Sequence, residues 1–347
     1  MGQSLQSSLK SFFSPHLPKE EKTHHNHAPI TIRDEFKNYE QVKTALEKAG
    51  LEHVDLIVAI DCTKSNTWNG KRTFENKCLH HLSHSNQLNP YQQVLQAILH
   101  TLKEFETHGE IPAFRFGCSQ TEDHSVLPLR PNCRDENCSG FEDMYKAYNE
   151  MAQAIQDKKI QMSGPTSFAA PVQRAIQIVR EQATYHILLI ICDGQVESVA
   201  ETRQAILDAR RVGLSIVIIG VGDGNGFDEM KFLDDDLCDE SNEIDWDNIN
   251  FLNFSKVWTE ENSNPYRFAW QVLMEIPQQY AFVKKHQILE KLKTQSQYLG
   301  HRKRKEQKSQ IPTAPPPPQS NYSIYPHFEG EVGEVETTEE GQEGHEQ

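Results

Sequence analysis

Between residues 35 and 294, two hydrophobic patterns alternate along the chain. Short, almost unbroken apolar runs predict strands that are buried on both faces of a sheet. These runs are Asp55–Asp61, Ile111–Gly117, His186–Cys192, Leu214–Gly220 and a shorter one at Asn250–Phe254. Apolar positions at helical spacing predict helices at Tyr39–Ala49, Pro90–Phe105, Phe141–Ile155, Phe168–Val179, Val199–Val212, Tyr266–Met274 and Gln279–Leu292. Because strands alternate with helices, the pattern predicts an α/β fold with a mostly parallel sheet covered on both faces.

The two ends of the chain lack this periodicity. Residues 1–34 are polar and irregular, and residues 295–347 change from basic to acidic. The second segment contains the basic stretch His301–Lys305, four prolines at Pro315–Pro318, and then eight Glu with no Lys or Arg. Segments with so little apolar surface cannot offset the entropy cost of folding. We therefore expect a disordered arm at 1–34, one domain at 35–294 and a disordered tail at 295–347.

Charge and composition narrow the classes of function. The 347 residues carry a formal charge of −15, which argues against nucleic-acid binding because a general binder needs a basic face. No apolar run approaches the roughly 18–20 residues of a membrane span. Seven scattered cysteines and the lack of a secretory signal favour a reducing, cytoplasmic location.

Two segments of the tail suggest further contacts. The stretch His301–Lys305 would act as a nuclear signal or lipid contact, or it would be a solvated helix end. The first reading leaves open a nuclear or membrane-peripheral fraction. Pro315–Pro318 would form a short polyproline II helix that docks into an SH3-like groove or acts as a spacer.

Side chains that suit a hard cation follow two predicted strands and precede one helix. Asp61 is the last residue of the first predicted strand, and Thr63 and Ser65 follow shortly after it. Asp193 follows the third long strand, and Thr166 lies just before a helix. Ligands of open α/β sheets bind beyond the carboxyl ends of strands, so these loops would meet at one edge. Two carboxylates with several hydroxyls suit Mg²⁺ or Mn²⁺; the alternative is that the two aspartates cap the segments after them.

These loops resemble a known metal site. The series Asp61-x-Thr63-x-Ser65, Gly164-x-Thr166 and Asp193-Gly194 is similar to the metal-ion-dependent adhesion site of von Willebrand factor A domains. Further stretches resemble the copine subgroup and the plant RING-type ubiquitin ligases with a copine-like domain; they are Leu79-His80, Asn89-Pro90-Tyr91, Phe114-x-Phe116-Gly117, Ser163-Gly-Pro-Thr-Ser-Phe168, Asp193-Gly-Gln-Val196, Gly220-Val-Gly-Asp223, Phe227-Asp-x-Met230 and Met274-Glu-Ile-Pro-Gln-Gln-Tyr280. The resemblance covers about residues 35–290. It implies a Rossmann-like, doubly wound sheet of six mostly parallel strands.

The resemblance also implies a function and a division of roles. Asp61, Ser65 and Thr166 would lie in or next to the first ligand shell of the cation. Thr63 would take the middle position of the motif, and Asp193 would act through water or a hydrogen bond. A cation held in this way would bind an exposed Asp or Glu of a partner protein. We therefore expect a non-catalytic protein-interaction module with Mg²⁺ or Mn²⁺ as its cofactor.

The chain departs in two ways from the proteins that it resembles. Copines have membrane-binding domains before this domain, whereas only 34 irregular residues precede it here. The plant ligases carry a RING, which needs a set of Cys and His ligands, and no cysteine follows Cys238. An adaptor or degenerate component of ubiquitin ligation is therefore the alternative function. A metal-dependent hydrolase is a second alternative, which is disfavoured because no general base accompanies the motif.

Overall fold

The computed structural model describes residues 39–50, 55–84, 87–102, 109–194, 196–224, 227–235, 246–260 and 263–295. The predicted arm at 1–34 and all but the first residue of the predicted tail at 295–347 lie outside these ranges. The segments His301–Lys305 and Pro315–Pro318 also lie outside them. The domain boundaries and the roles of both segments therefore stay predictions.

The described residues alternate between strands and helices, as the hydrophobic pattern predicts. The strands are β1 (Asp55–Asp61), β2 (Glu110–Phe116), β3 (Leu127–Pro128), β4 (Asn137–Ser139), β5 (His186–Cys192), β6 (Ser215–Gly220) and β7 (Ile249–Asn253). The helices are α1 (Tyr39–Ala49), α2 (Pro90–Leu102), α3 (Gly140–Gln156), α4 (Ala169–Gln182), α5 (Val199–Val212), α6 (Phe227–Asp235), α7 (Phe254–Glu260), α8 (Pro265–Leu273) and α9 (Ile276–Lys285). A short 3₁₀ helix, Lys64–Thr67, follows β1.

The sheet is mixed and mostly parallel. Its strand order is β3-β2-β1-β5-β6-β7, and β4 also pairs with β2. Strands β1, β2, β5, β6 and β7 run parallel, whereas β3 and β4 are antiparallel to β2. Within the described ranges the sheet thus has seven strands rather than six. The α/β prediction is confirmed, but β3 and β4, with two and three residues, are too short to show a hydrophobic period.

The core lies on both faces of the sheet. In β1, Leu56, Val58 and Ile60 pack on one side with side chains of α2 and α3. Ile57 and Ala59 point to the other side and pack with α4 and α5. Successive side chains of a strand point to opposite faces, so a strand between two helical layers needs apolar residues at every position. This requirement explains the unbroken apolar runs.

The last predicted helix is divided into two shorter helical segments in the structure. The predicted helix Gln279–Leu292 is interrupted, because α9 ends at Lys285 and Gln287 has a φ of 54°. Residues 288–295 are helical again. None of the helices in the described part of the chain is long and apolar enough to cross a membrane.

The strand order creates a crevice at one edge of the sheet. From β1 the chain proceeds to β2 on one side, whereas from β5 it proceeds to β6 on the other side. Connections that leave neighbouring parallel strands in opposite directions open a crevice beyond their carboxyl ends. Asp61 is the last residue of β1, and Asp193 follows the last residue of β5. The topology therefore places both carboxylates at this crevice.

Candidate metal site

A chain of hydrogen bonds joins four of the five predicted site residues. The backbone N–H of Thr63 donates to Asp61 Oδ1 at 2.7 Å. Thr63 Oγ1 lies 2.8 Å from Ser65 Oγ, which in turn donates to Asp193 Oδ1 at 2.9 Å. Asp61, Thr63 and Asp193 are buried, whereas Ser65 is half-buried. The loops after β1 and β5 therefore converge on one small polar site that reaches the surface at Ser65.

One carboxylate oxygen in this site has no hydrogen-bond donor. Asp61 Oδ2 is buried and is without a partner in the described part of the protein. The other carboxylate is better satisfied, since Asn69 Nδ2 donates to Asp193 Oδ2 at 3.2 Å. Unpaired buried carboxylates are costly, and such groups are normally paired with a cation or a metal. The arrangement thus leaves one oxygen of Asp61 available as a ligand.

The two carboxyl groups also act on each other. Burial raises the pKa of Asp61 to about 6, although its hydrogen bonds with Thr63 act in the opposite direction. Burial, and then the negative charge of Asp61, raise the pKa of Asp193 well above its usual range. Two neighbouring carboxylates resist simultaneous ionisation in a buried site. A divalent cation held by these residues would offset this repulsion.

Capping explains only part of the arrangement. Asp61 Oδ1 accepts the Thr63 N–H as a capping side chain would, but Oδ2 has no such role. Asp193 accepts from Ser65 and Asn69, which belong to the loop after β1, whereas Ser198 occupies the N-cap of α5. The oxygen donors therefore fit a hard cation with few carboxylates. Clusters of three or more His, Cys, Asp or Glu suited to a metal are not found among the described residues.

Thr166 reaches the same edge through its backbone. Lys64 N donates to the carbonyl of Ser163 at 2.6 Å, so the segment before Thr166 adjoins the loop after β1. The carbonyl of Thr166 accepts from the backbone N–H of Glu197 at 2.9 Å, in the loop after β5. Thr166 is buried between these two loops. These contacts fix its backbone, and the role of its hydroxyl as a ligand stays a prediction.

Buried polar side chains support the site from behind. His80 Nε2 lies 2.9 Å from the carbonyl oxygen of Asp61. Its ring stacks on Tyr91 with 4.2 Å between the centroids, and the Tyr91 hydroxyl donates to Asn66 Oδ1 at 2.8 Å. Burial lowers the pKa of His80 to about 4, so the ring is neutral at neutral pH. Because a carbonyl only accepts, the neutral ring donates its Nε2 proton to Asp61.

The sequence motifs include some of these supporting residues without assigning them roles. His80 and Tyr91 belong to the Leu79-His80 and Asn89-Pro90-Tyr91 stretches, and Asn66 directly follows Ser65. Asn69 lies outside every motif. Its contact with Asp193 joins residues that are 124 positions apart in the chain. A single sequence carries no signal for such a long-range side-chain contact.

The raised pKa values predict an unusual pH dependence for the metal-free protein. A carboxyl whose pKa is higher in the folded state binds protons more tightly there, so it favours folding at low pH. For Asp61, from 3.8 to about 6, the cost of ionisation amounts to about 3 kcal/mol. We expect this contribution to be present below about pH 4 and lost as the pH rises through about 6.

Thermal unfolding in a metal chelator, measured over this pH range, tests the prediction. Other carboxylates destabilise the fold in acid, so the informative quantity is the difference from an Asp61→Asn variant. We expect the variant to be the more stable protein at neutral pH, with the difference shrinking as the pH falls. A difference that does not change with pH would contradict the assignment.

The sequence of the chain identifies its family. The family model described as Copine matches residues 78–292, which is more than half of the chain. The chain belongs to the copine family. The match includes α2 through α9 and Asp193, whereas the motif Asp61-x-Thr63-x-Ser65 lies just before it.

Curated relatives include copines and plant ubiquitin ligases. Copine family protein 2 of Caenorhabditis elegans is 38% identical over 255 residues, which are 73% of this chain and 3% of that protein. E3 ubiquitin-protein ligase RGLG5 of Arabidopsis thaliana is 40% identical over 266 residues, which are 72% of this chain and 58% of that protein. RGLG3 of Arabidopsis thaliana is 38% identical over 271 residues. The chain thus spans little more than half of RGLG5 and a small part of the nematode protein.

Solved structures give weaker similarities. Manganese-loaded TRAP protein of Plasmodium vivax has a TM-score of 0.37 and 12% identity, covering 62% of this chain and 74% of that chain. Proximal thread matrix protein 1 of the mussel byssus, with a zinc-occupied MIDAS motif, has a TM-score of 0.35 and 16% identity. That comparison covers 61% of this chain and 48% of the mussel protein chain.

Proposed function

We propose that this copine domain is a non-catalytic protein-interaction module. Asp61, Ser65 and Thr166 would hold a Mg²⁺ or Mn²⁺ ion, with Thr63 and Asp193 orienting the ligands. The ion would bind an exposed Asp or Glu of a partner protein. The observation that carries the proposal is Asp61 Oδ2 at the crevice of the sheet, a buried carboxylate oxygen to which none of the described residues donates a hydrogen bond.

The charges at the site favour an acidic partner. Asp61 and Asp193 supply two negative charges, which a divalent cation would neutralise. Among the described residues, the backbone N–H of Thr63 donates to Asp61, and the hydroxyl of Ser65 and the amide of Asn69 donate to Asp193. A hard cation with so few anionic ligands keeps a strong affinity for a further oxygen anion. A partner carboxylate would complete the ligand shell.

The surroundings of the site support binding rather than hydrolysis. The imidazole that touches the site, His80, is buried and neutral. Its Nε2 lies against the Asp61 carbonyl, and its Nδ1 lies 3.1 Å from the Tyr148 hydroxyl. A general base must reach a proton of the substrate or of a water molecule, and this ring faces the core instead.

Metal-dependent capture tests the proposal. The full chain should retain its partner in Mg²⁺ and release it in EDTA, and an Asp61→Asn variant should capture nothing above background. An Asp55→Asn variant is a matched control, because Asp55 lies at the other end of the same strand. For any captured protein, replacing the contacted Glu or Asp by its amide should abolish binding. Equal capture in EDTA or by Asp61→Asn would contradict the metal-bridged mechanism.

A role in ubiquitin ligation is a second candidate function. It rests on the 40% identity with RGLG5, a protein that is named as an E3 ubiquitin-protein ligase and of which this chain spans 58%. The chain would then act as an adaptor that presents a bound partner. Ubiquitin-chain formation on the partner in the presence of the chain, a conjugating enzyme and a separate ligase would support this role. Unchanged chain formation when the copine chain is left out would exclude it.

A further inference from the structure

The loop that follows β1 carries a local concentration of positive charge. Residues 64–77 contain four basic side chains and one acidic side chain, in a protein whose formal charge is −15. Lys64, Lys71 and Arg72 are exposed. Lys64 lies between Thr63 and Ser65 in the chain, and its side chain is exposed. The loop after β1 is therefore positively charged, unlike the protein as a whole.

The loop is fixed in place by contacts with the loop after β6. The Asp223 carboxylate accepts the backbone N–H groups of Arg72 and Thr73 at 3.1 and 3.0 Å. Arg72 Nη2 also donates to the Asp223 carbonyl, yet 73% of the Arg72 side chain is exposed. Asp223 N donates to the carbonyl of Asn69, whose side chain contacts Asp193. The basic residues thus belong to a preformed surface that is continuous with the site.

Exposed apolar side chains occur in the loop after β1 and at the start of α5. Three large apolar side chains of the described residues are exposed: Trp68, Val199 and Tyr266. Trp68 is 45% exposed in the loop after β1, and Val199, the first residue of α5, is 38% exposed. Ser65 belongs to the same loop as Trp68, and Asp193 lies six residues before Val199. An exposed tryptophan beside a polar site is typical of a binding surface, where Trp and Arg contribute most of the affinity.

We infer that the metal-edge surface, formed by Lys64, Trp68, Lys71, Arg72 and Val199, docks an acidic peptide segment of a partner protein. The segment has further Glu or Asp residues beside the carboxylate that reaches the metal, and a bulky apolar side chain that covers Trp68. The inference rests on the proposed function and names the kind of partner that it requires.

Charge complementarity favours a short peptide over a larger polyanion. Exposed charges act over about 8 Å at physiological ionic strength, so a short segment responds to the local basic patch. A nucleic-acid duplex or an anionic membrane extends beyond the local patch and would be repelled by a protein with a net charge of −15. The apolar contact with Trp68 likewise suits a peptide side chain.

Fluorescence anisotropy of a labelled peptide on the full chain tests the inference. The probe is a short synthetic peptide of Glu residues around one Phe, and its control keeps one Glu and has Gln at the others. In Mg²⁺ we expect the probe to bind at least about tenfold more tightly than its control, since steering and contact both depend on charge. Binding of both peptides with equal affinity would overturn the inference.

Two variants separate the surface from the metal. A Lys64→Gln, Lys71→Gln, Arg72→Gln variant should bind the probe about tenfold more weakly, because each exposed charge contributes a small part. Trp68→Ala should also weaken binding about tenfold or more. Calorimetry should find that both variants bind Mg²⁺ as the wild type does. The matched control replaces Lys146, Arg180 and Lys291, which are exposed on helical segments, by Gln.

The outcomes distinguish this inference from the proposed function. If EDTA abolishes probe binding but the triple variant binds normally, the metal function stands and the basic surface has no role. If EDTA has no effect but the triple variant fails, the surface is confirmed and the metal bridge is excluded. Competition by anionic vesicles at matched charge, with no competition by unlabelled probe, would overturn the choice of a peptide. Stronger probe binding after Glu→Gln changes at residues 329–346 would instead assign the surface to this chain's own acidic segment.

Discussion

An Asp61→Asn variant should lose its response to Mg²⁺ and, without metal, should be more stable than the wild type. In the wild type the backbone N–H of Thr63 donates to Asp61 Oδ1 at 2.7 Å. The side-chain oxygen of asparagine can accept the same hydrogen bond. The substitution removes a carboxyl group whose ionisation is costly, because burial raises the pKa of Asp61 to about 6. The gain at neutral pH should therefore be about 2–3 kcal/mol.

Thermal unfolding with and without Mg²⁺ measures both effects. The gain corresponds to a rise in Tm of roughly 5–10 °C for a domain of this size. The wild type should rise by a similar amount in Mg²⁺, since a ligand at about 100 times its Kd stabilises by about 2.7 kcal/mol. Asp55→Asn, at the opposite end of β1, should keep the Mg²⁺ response. A Mg²⁺ response that survives in Asp61→Asn would refute the assignment of Asp61 as a ligand.

A Gly117→Ala variant should be destabilised and should bind Mg²⁺ poorly. Gly117 follows β2 with a φ of 75°, a conformation that is costly for alanine. A Cβ atom there would overlap the methyl group of Thr63 and would lie 3.4 Å from Asp61 Oδ1. The loop after β1 must move to relieve this overlap. We expect a loss of about 3 kcal/mol, combining backbone strain with overpacking.

Gly109 provides a matched control for this change. It has a similar φ of 69°, but a Cβ atom added to it would meet nothing within 4 Å. Gly109→Ala should therefore show the cost of the backbone conformation alone, about 1 kcal/mol. The additional loss in Gly117→Ala reports the overlap with the metal-site loop. If the two variants lose equal stability and Gly117→Ala binds Mg²⁺ normally, Gly117 has no special relation to the site.

The sequence predicts the central strands accurately because both of their faces are buried. The structure places β1 at Asp55–Asp61 and β5 at His186–Cys192, with the predicted bounds. Helix α5 also has its predicted bounds, and Gly213 ends it with a φ of 74°. Less regular parts escape prediction, since β3 and β4 are too short for a period and the helix after α8 is interrupted at Gln287.

By itself, the sequence determined the α/β fold and the loops that meet at one edge of the sheet. Asp61, Thr63, Ser65 and Asp193 are local features of strand ends, and parallel strands place those ends together. Only the tertiary structure decided how their atoms are satisfied. Asn69 reaches Asp193, and the ring of His80 lies against the Asp61 carbonyl. Within the described ranges, Asp61 Oδ2 is left without a donor. Hydrogen bonding of this kind depends on distances between residues far apart in the chain, which no local pattern encodes.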